Sequence, residues 1–160
     1  MTYGPDIARI AERFPPAYPQ FETALEVLAE VGTTIEVGAS PVGHRRIVPI
    51  TGGWFRGPGL AGIVMPGGAD RQLVRADGIR ELDAIYELLA DDGTVLMVHN
   101  RVLIDTTNPP EGEDRYARSV VTVAAPEGPH DWLNRRVLVG TLNSLRPAQP
   151  YVFLRFSILS

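Results

Sequence analysis

The sequence predicts an all-β protein: a single antiparallel β-barrel of about ten strands, preceded by one short helix. Three observations carry this expectation. The apolar spacing switches from a helical period to a period of two at Phe21. From there to the C-terminus, short alternating segments follow one another with Gly, Pro and Asp-Gly breaks between them. An open sheet of so many twisted strands tends to curl shut, which also removes its exposed edges.

The elements follow in order. Residues 6–14 place Ile7, Ile10, Ala11 and Phe14 on one helical face, with Asp6 at the N-cap position. Pro15-Pro16 stops this helix and Pro19 keeps the chain extended, so residues 1–19 read as a helix and a Pro-rich lead-in. Next, Phe21, Thr23, Leu25, Val27 and Ala29 alternate with Glu22, Ala24, Glu26 and Leu28, the pattern of a half-buried strand. Further strand candidates cover 33–37, 45–51, 60–66, 70–75, 80–89, 94–104, 115–124, 136–142 and 151–159. The breaks between them include Gly38-Ala39-Ser40-Pro41, Gly57-Pro58-Gly59, Pro66-Gly67-Gly68 and Asn108-Pro109-Pro110, with Asp77-Gly78 and Asp92-Gly93 as hairpin turns. In the last strand Val152, Leu154, Phe156 and Ile158 share one side. No internal repeat or linker appears, and residues 1–160 read as one barrel domain.

Composition narrows the function. The chain carries 15 basic and 19 acidic residues, a net charge of −4. The bases form no stripe, which argues against a nucleic-acid partner. No apolar run of membrane length and no signal-peptide pattern is present, so no membrane association and a cytoplasmic location are expected. There is no cysteine and no lysine; every base other than histidine is arginine. Thiol nucleophiles, cysteine metal sites and Schiff-base chemistry are thereby excluded.

The stretch Val42–Arg101 carries a series of motifs. Gly43, Arg45 and Arg46 are followed by Gly52, Gly53, Phe55, Gly57 and Pro58, then by Pro66, Gly67, Gly68 and Asp70. Asp77-Gly78, then Leu82, Asp83 and Tyr86, then Asp92-Gly93 come next, and Trp132–Arg135 with Val139-Gly140 lie further on. The series resembles the bacterial and fungal family catalogued as domain of unknown function 3237, over about residues 18–158. The resemblance implies a small antiparallel β-barrel, and the setting of some members implies the handling of aromatic or polyketide-like compounds. Two departures bear on the shape of a pocket. Arg71 stands where an aromatic residue is common, and Tyr116-Ala117-Arg118 replaces a Tyr-Phe-Arg element.

The Gly-rich corners match no phosphate-binding fingerprint and read as turns and bulges. His44, His99 and His130 lie far apart with no metal-ligand spacing, so no metal is expected. No Gly-x-Ser-x-Gly is present. What remains is carboxylate, tyrosine and arginine. Asp70 follows a Gly-rich corner and either caps that turn or faces an apolar lumen, where burial would raise its pKa and fit it as a base. Tyr86 shares parity with Leu82, Ala84 and Leu88 and points inward, whereas Asp83 shares parity with Glu81 and Glu87 and points outward. Arg46 alternates with Val48 and Ile50, so it needs either a buried carboxylate or a ligand oxygen.

Asp70, Tyr86 and Arg46 are thus the candidate catalytic residues. His99 in an apolar strand, Arg118 beside Val120, and Trp132 as a roof or plug of the barrel are candidate ligand contacts. The leading reading is a small-molecule-binding barrel. It would act without an organic cofactor, by acid–base chemistry of the lyase, isomerase or cyclase kind, on a carbonyl or phenolic compound. The alternatives are a non-catalytic carrier of such a compound and an interaction module using the outer face. A homo-oligomer is compatible with either.

Overall fold

The computed structural model describes residues 6–160, so the first five residues of the expected lead-in lie outside the described residues. Asp6 caps the helix α1 (Ile7–Ala11), its Oδ1 accepting from the N–H groups of Ala8 and Arg9 at 3.1 and 3.4 Å. The helix is shorter than the expected 6–14, and none of its residues is buried. Ile7 is 81% and Phe14 70% exposed, so the apolar face read from the sequence does not pack on the barrel.

Ten strands follow: β1 (Phe21–Val31), β2 (Ile35–Ser40), β3 (Gly43–Gly57), β4 (Leu60–Val64), β5 (Ala69–Val74), β6 (Arg80–Ala90), β7 (Val95–Asp105), β8 (Tyr116–Ala124), β9 (Val137–Ser144) and β10 (Tyr151–Leu159). Eight of them close an antiparallel barrel in the order β1-β10-β9-β8-β7-β6-β5-β3, with β3 returning to β1. The other two are extra. β2 pairs only with β3, and β4 fits between β3 and β6 beyond the end of β5.

This arrangement follows from the 15-residue β3, which is too long for one neighbour. Its first half (His44–Pro49) pairs with β5, and its second half reaches β1 and β4. The seam between β1 and β3 closes at Gly53, whose φ of +128° and close approach to the Leu28 carbonyl suit only glycine. Irregularities in register account for two differences from simple alternation. A shift between Thr23 and Leu25 leaves Phe21 and Thr23 exposed and buries Ala24 beside Leu25. A second shift, between Glu36 and Gly38, keeps Gly38–Ser40 within β2 instead of breaking it.

The main core runs through the lumen, with Leu25, Val27, Leu88, Leu96, Val98, Leu138 and Phe156 among its fully covered side chains. A 3-10 helix (Asp131–Arg135) buries Leu133 in this core. Its Asn134 side chain brackets Ala125, accepting from the backbone N–H and donating to the backbone carbonyl, both at 2.9 Å. The buried His130 pairs with Asp92 in the β6–β7 turn at 2.7 Å. No helix among the described residues is long and apolar enough to cross a membrane.

Candidate functional site

A cavity of about 350 Å³ occupies the lumen, and the candidate catalytic residues Arg46, Asp70 and Tyr86 all line it. Strand parity brings them together. Val48 pairs with Asp70, Asp70 with Ala84, and Ala84 with Asn100 across three adjacent strand pairs, so these side chains form one inward row. Ala84 is small and leaves a recess between Asp70 and Asn100. Tyr86, two residues further along β6, borders the same recess. Arg46 and Gln72 pair in the row above. The glycine at position 68 lets the Pro66-Gly67-Gly68 corner rest on Tyr86, since a Cβ there would lie 2.5 Å from Tyr86 Cβ.

A chain of hydrogen bonds fixes the polar groups. Arg46 Nε donates to Gln72 Oε1 at 2.7 Å. Because arginine only donates, the Gln72 amide nitrogen must face Asp70, and it donates to Oδ2 at 2.6 Å. Asp70 Oδ1 accepts the backbone N–H of Asp83 at 3.0 Å. Asp70 therefore faces the lumen and does not cap the corner that precedes it.

Burial pushes the Asp70 carboxyl above its ordinary range. The bonds from Gln72 and Asp83 N–H oppose that shift, the Asp83 charge adds to it, and the nearby Arg46 opposes it again. Burial, and then the charge of Asp70, raises Tyr86 well above an ordinary phenol, so its hydroxyl keeps its proton. The Tyr86 hydroxyl and Asn100 Oδ1 are both buried without a protein partner. Each is a polar atom in an apolar recess that a bound molecule could satisfy.

The remaining candidates lie elsewhere. His99 is on the outer face of β7, paired with Asp83 across the strands at 2.5 Å, and is not in the lumen. β7 is apolar on both faces, with Val95, Met97 and Leu103 exposed, so its pattern does not reveal which side is inside. Arg118 also points outward, bonded to Glu113 at 2.7 Å and stacked over Tyr116. Its neighbour Val120 is 54% exposed, so apolar company there does not mean burial. Trp132 packs partly buried against the main core and does not line the cavity.

Gln72, Asn100, Arg80 and Arg115 are among the polar lining residues absent from the sequence candidates. Parity could have found three. Gln72 follows Asp70, Asn100 sits between Val98 and Val102, and Arg80 precedes Leu82, each by two. Arg115 stands just before β8, where no period reaches it. Among the described residues no group of three or more His, Asp or Glu is placed to hold a metal.

The fold and this lumen define a class: a closed eight-stranded antiparallel barrel with a buried acid, a phenol and an amide converging on an apolar cavity. More particularly, the chain belongs to the family described as protein of unknown function (DUF3237), whose model matches residues 19–159. It is 40% identical over 84 residues to a UPF0311 protein of Rhodopseudomonas palustris, a match covering 51% of this chain. The match spans about half the length of that relative, 55%. Two solved structures are similar in fold. A β-barrel-like protein of Acinetobacter baumannii superposes with a TM-score of 0.81 at 26% identity, covering 92% of this chain and 99% of the other. A protein described as an enzyme from Penicillium herquei superposes with a TM-score of 0.71 at 23% identity, covering 91% and 98%.

Proposed function

We propose that the barrel binds a small carbonyl or phenolic compound in its lumen and acts on it by acid–base chemistry, without an organic cofactor, as a lyase, isomerase or cyclase. The observation that carries this reading is the placement of Asp70. A carboxylate with a raised pKa sits in an apolar recess beside two unpartnered polar atoms. Asp70 would take a proton from the bound compound. Both its oxygens already accept hydrogen bonds, which orient the carboxylate and favour its charged, proton-accepting form against the effect of burial. Tyr86 would donate its hydroxyl proton in a hydrogen bond to a carbonyl or enolate oxygen, and Asn100 Oδ1 would accept from a hydroxyl. Arg46 bonds Gln72 through Nε only, so its terminal nitrogens are free to face developing negative charge. One protein of this fold is described as an enzyme, so the scaffold is compatible with catalysis, though fold does not decide function.

The test begins with native mass spectrometry of the protein purified from its own host, to identify a co-purifying compound. That compound is then incubated with the protein in deuterium oxide. Wild type should convert it or exchange its acidic C–H position faster than buffer alone. Asp70→Asn should lose this while still binding, and Tyr86→Phe should retain a reduced rate. A compound that binds wild type and is neither converted nor exchanged would leave a carrier in place of an enzyme.

A further inference from the structure

The arginines around the lumen set the charge of what can enter it. Five arginines of the described chain are partly buried: Arg46, Arg75, Arg80, Arg115 and Arg118. Arg75 and Arg118 face outward and are paired with carboxylates, Arg75 with Asp77 and Glu81, and Arg118 with Glu113. The other three all line the cavity, and among the described residues none of them has a carboxylate within ion-pair distance. A fourth, Arg146, lines the cavity as well and is exposed, marking where the lumen meets solvent.

Arg80 also lies near enough to Arg46 and Arg115 to feel their charges. Burial, then repulsion from Arg46 and Arg115, lowers the Arg80 guanidinium below its ordinary value. Against these four positive groups the lining offers one acid, Asp70, with Gln72 between it and Arg46. Crowding like charges in a half-buried ring is unfavourable unless something anionic joins them.

We infer that the Arg80–Arg115 rim is an anion anchor, and that the ligand is an apolar or aromatic carboxylic acid whose carboxylate sits at this rim while an oxygen function at its far end reaches Tyr86 and Asn100. The forked, planar donors of arginine match a carboxylate in two-point contact. The lumen below the rim is lined by Val48, Leu82, Val102 and Leu154, which suits a carbon skeleton. Its volume is at the small end of the range of ligand pockets, room for a compound of one or two rings. The inference rests on the lumen being the binding site, as proposed above, and adds the ionic end of the ligand.

The experiment is calorimetric titration of the whole chain with a hydroxynaphthoate and, separately, with its uncharged methyl ester. The acid should bind about tenfold or more tightly than the ester, the worth of one charge-assisted contact, and the preference should shrink as salt is raised. In an Arg80→Gln/Arg115→Gln double variant, shown to be folded by its thermal melt, the two affinities should converge. Equal affinities for acid and ester in wild type would overturn the anion anchor and leave the lumen reading standing. A preference for the acid that survives the double variant would also overturn it. Binding of neither probe at millimolar concentration would count against the lumen as a binding site, and so against both readings.

Discussion

Asp70 shows how a single residue links site and stability. Its carboxyl is raised above the value of about 3.8 that it has in the unfolded chain, chiefly by burial. Between those two values the folded protein holds a proton that the unfolded chain has released. Stability contributed by this group is therefore fully present below the unfolded value and is lost as pH rises through the folded one. Glu26, Asp77, Asp92, Asp105 and Glu113 all shift downward and act in the opposite sense; Asp92, held chiefly by the Thr94 N–H, falls to about 2. The effect of Asp70 must be isolated by difference. We expect that urea unfolding of wild type and Asp70→Asn, followed from pH 4 to pH 8, will show the variant gaining stability relative to wild type as pH rises. A difference that stays flat across that range would mean that Asp70 is not held in a raised state. The same burial is what prepares the group as a base, so the destabilising charge and the proposed chemistry have one cause.

At the scale of elements, what the sequence made legible depended on contrast between strand faces. Tyr86 could be placed inward because Glu81, Asp83 and Glu87 mark the other face of β6, and its burial agrees. Arg46 could be placed because Val48 and Ile50 continue its face. His99 and Arg118 could not, because Met97, Leu103 and Val120 make the outer faces of β7 and β8 apolar too. The bulges in β1 and β2 were equally hidden, since an inserted residue shifts parity without any residue type announcing it. The Asp70–Gln72–Arg46 chain is legible only once β3 and β5 are known to pair, because the two partners are 26 residues apart. The corner at Gly68 tests this packing directly. Gly68→Ala places a methyl against Tyr86 Cβ and the Ile85 carbonyl. The overpacking should cost about 1–3 kcal/mol and, on the proposed reading, weaken binding in the lumen by displacing Tyr86. Near-ultraviolet circular dichroism would report a changed tyrosine environment, and an unchanged melt and spectrum would show that the corner does not press on Tyr86.

Closure of the whole barrel depends on the seam where β3 leaves β5 and joins β1. There Gly53 pairs with Ala29 in a conformation, φ +128°, that side chains rarely adopt, and a Cβ would also meet the Leu28 carbonyl. The row of inward side chains that frames the cavity stays in register only while this seam is shut, since β1 supplies Ala29 and Val31 to the same lining. Gly53→Ala should therefore be felt far from its own position. Backbone strain at one such residue is about 1–3 kcal/mol, before the steric conflict is added. For a chain of this size that lowers the melting temperature by about 2–4 °C for each kcal/mol. Ile7→Ser provides the contrast. Ile7 is one of the most exposed apolar side chains and belongs to a helix with no buried residue, so its loss should leave the melt unchanged. Amide hydrogen exchange adds the spatial reading. In Gly53→Ala protection should fall along β1 and the second half of β3, and hold in β7 and β8, which pair on the opposite side of the ring. Uniform loss of protection would mean that the barrel opens only as one unit, with no weaker seam. A Gly53→Ala protein as stable as wild type would show that closure does not depend on this glycine.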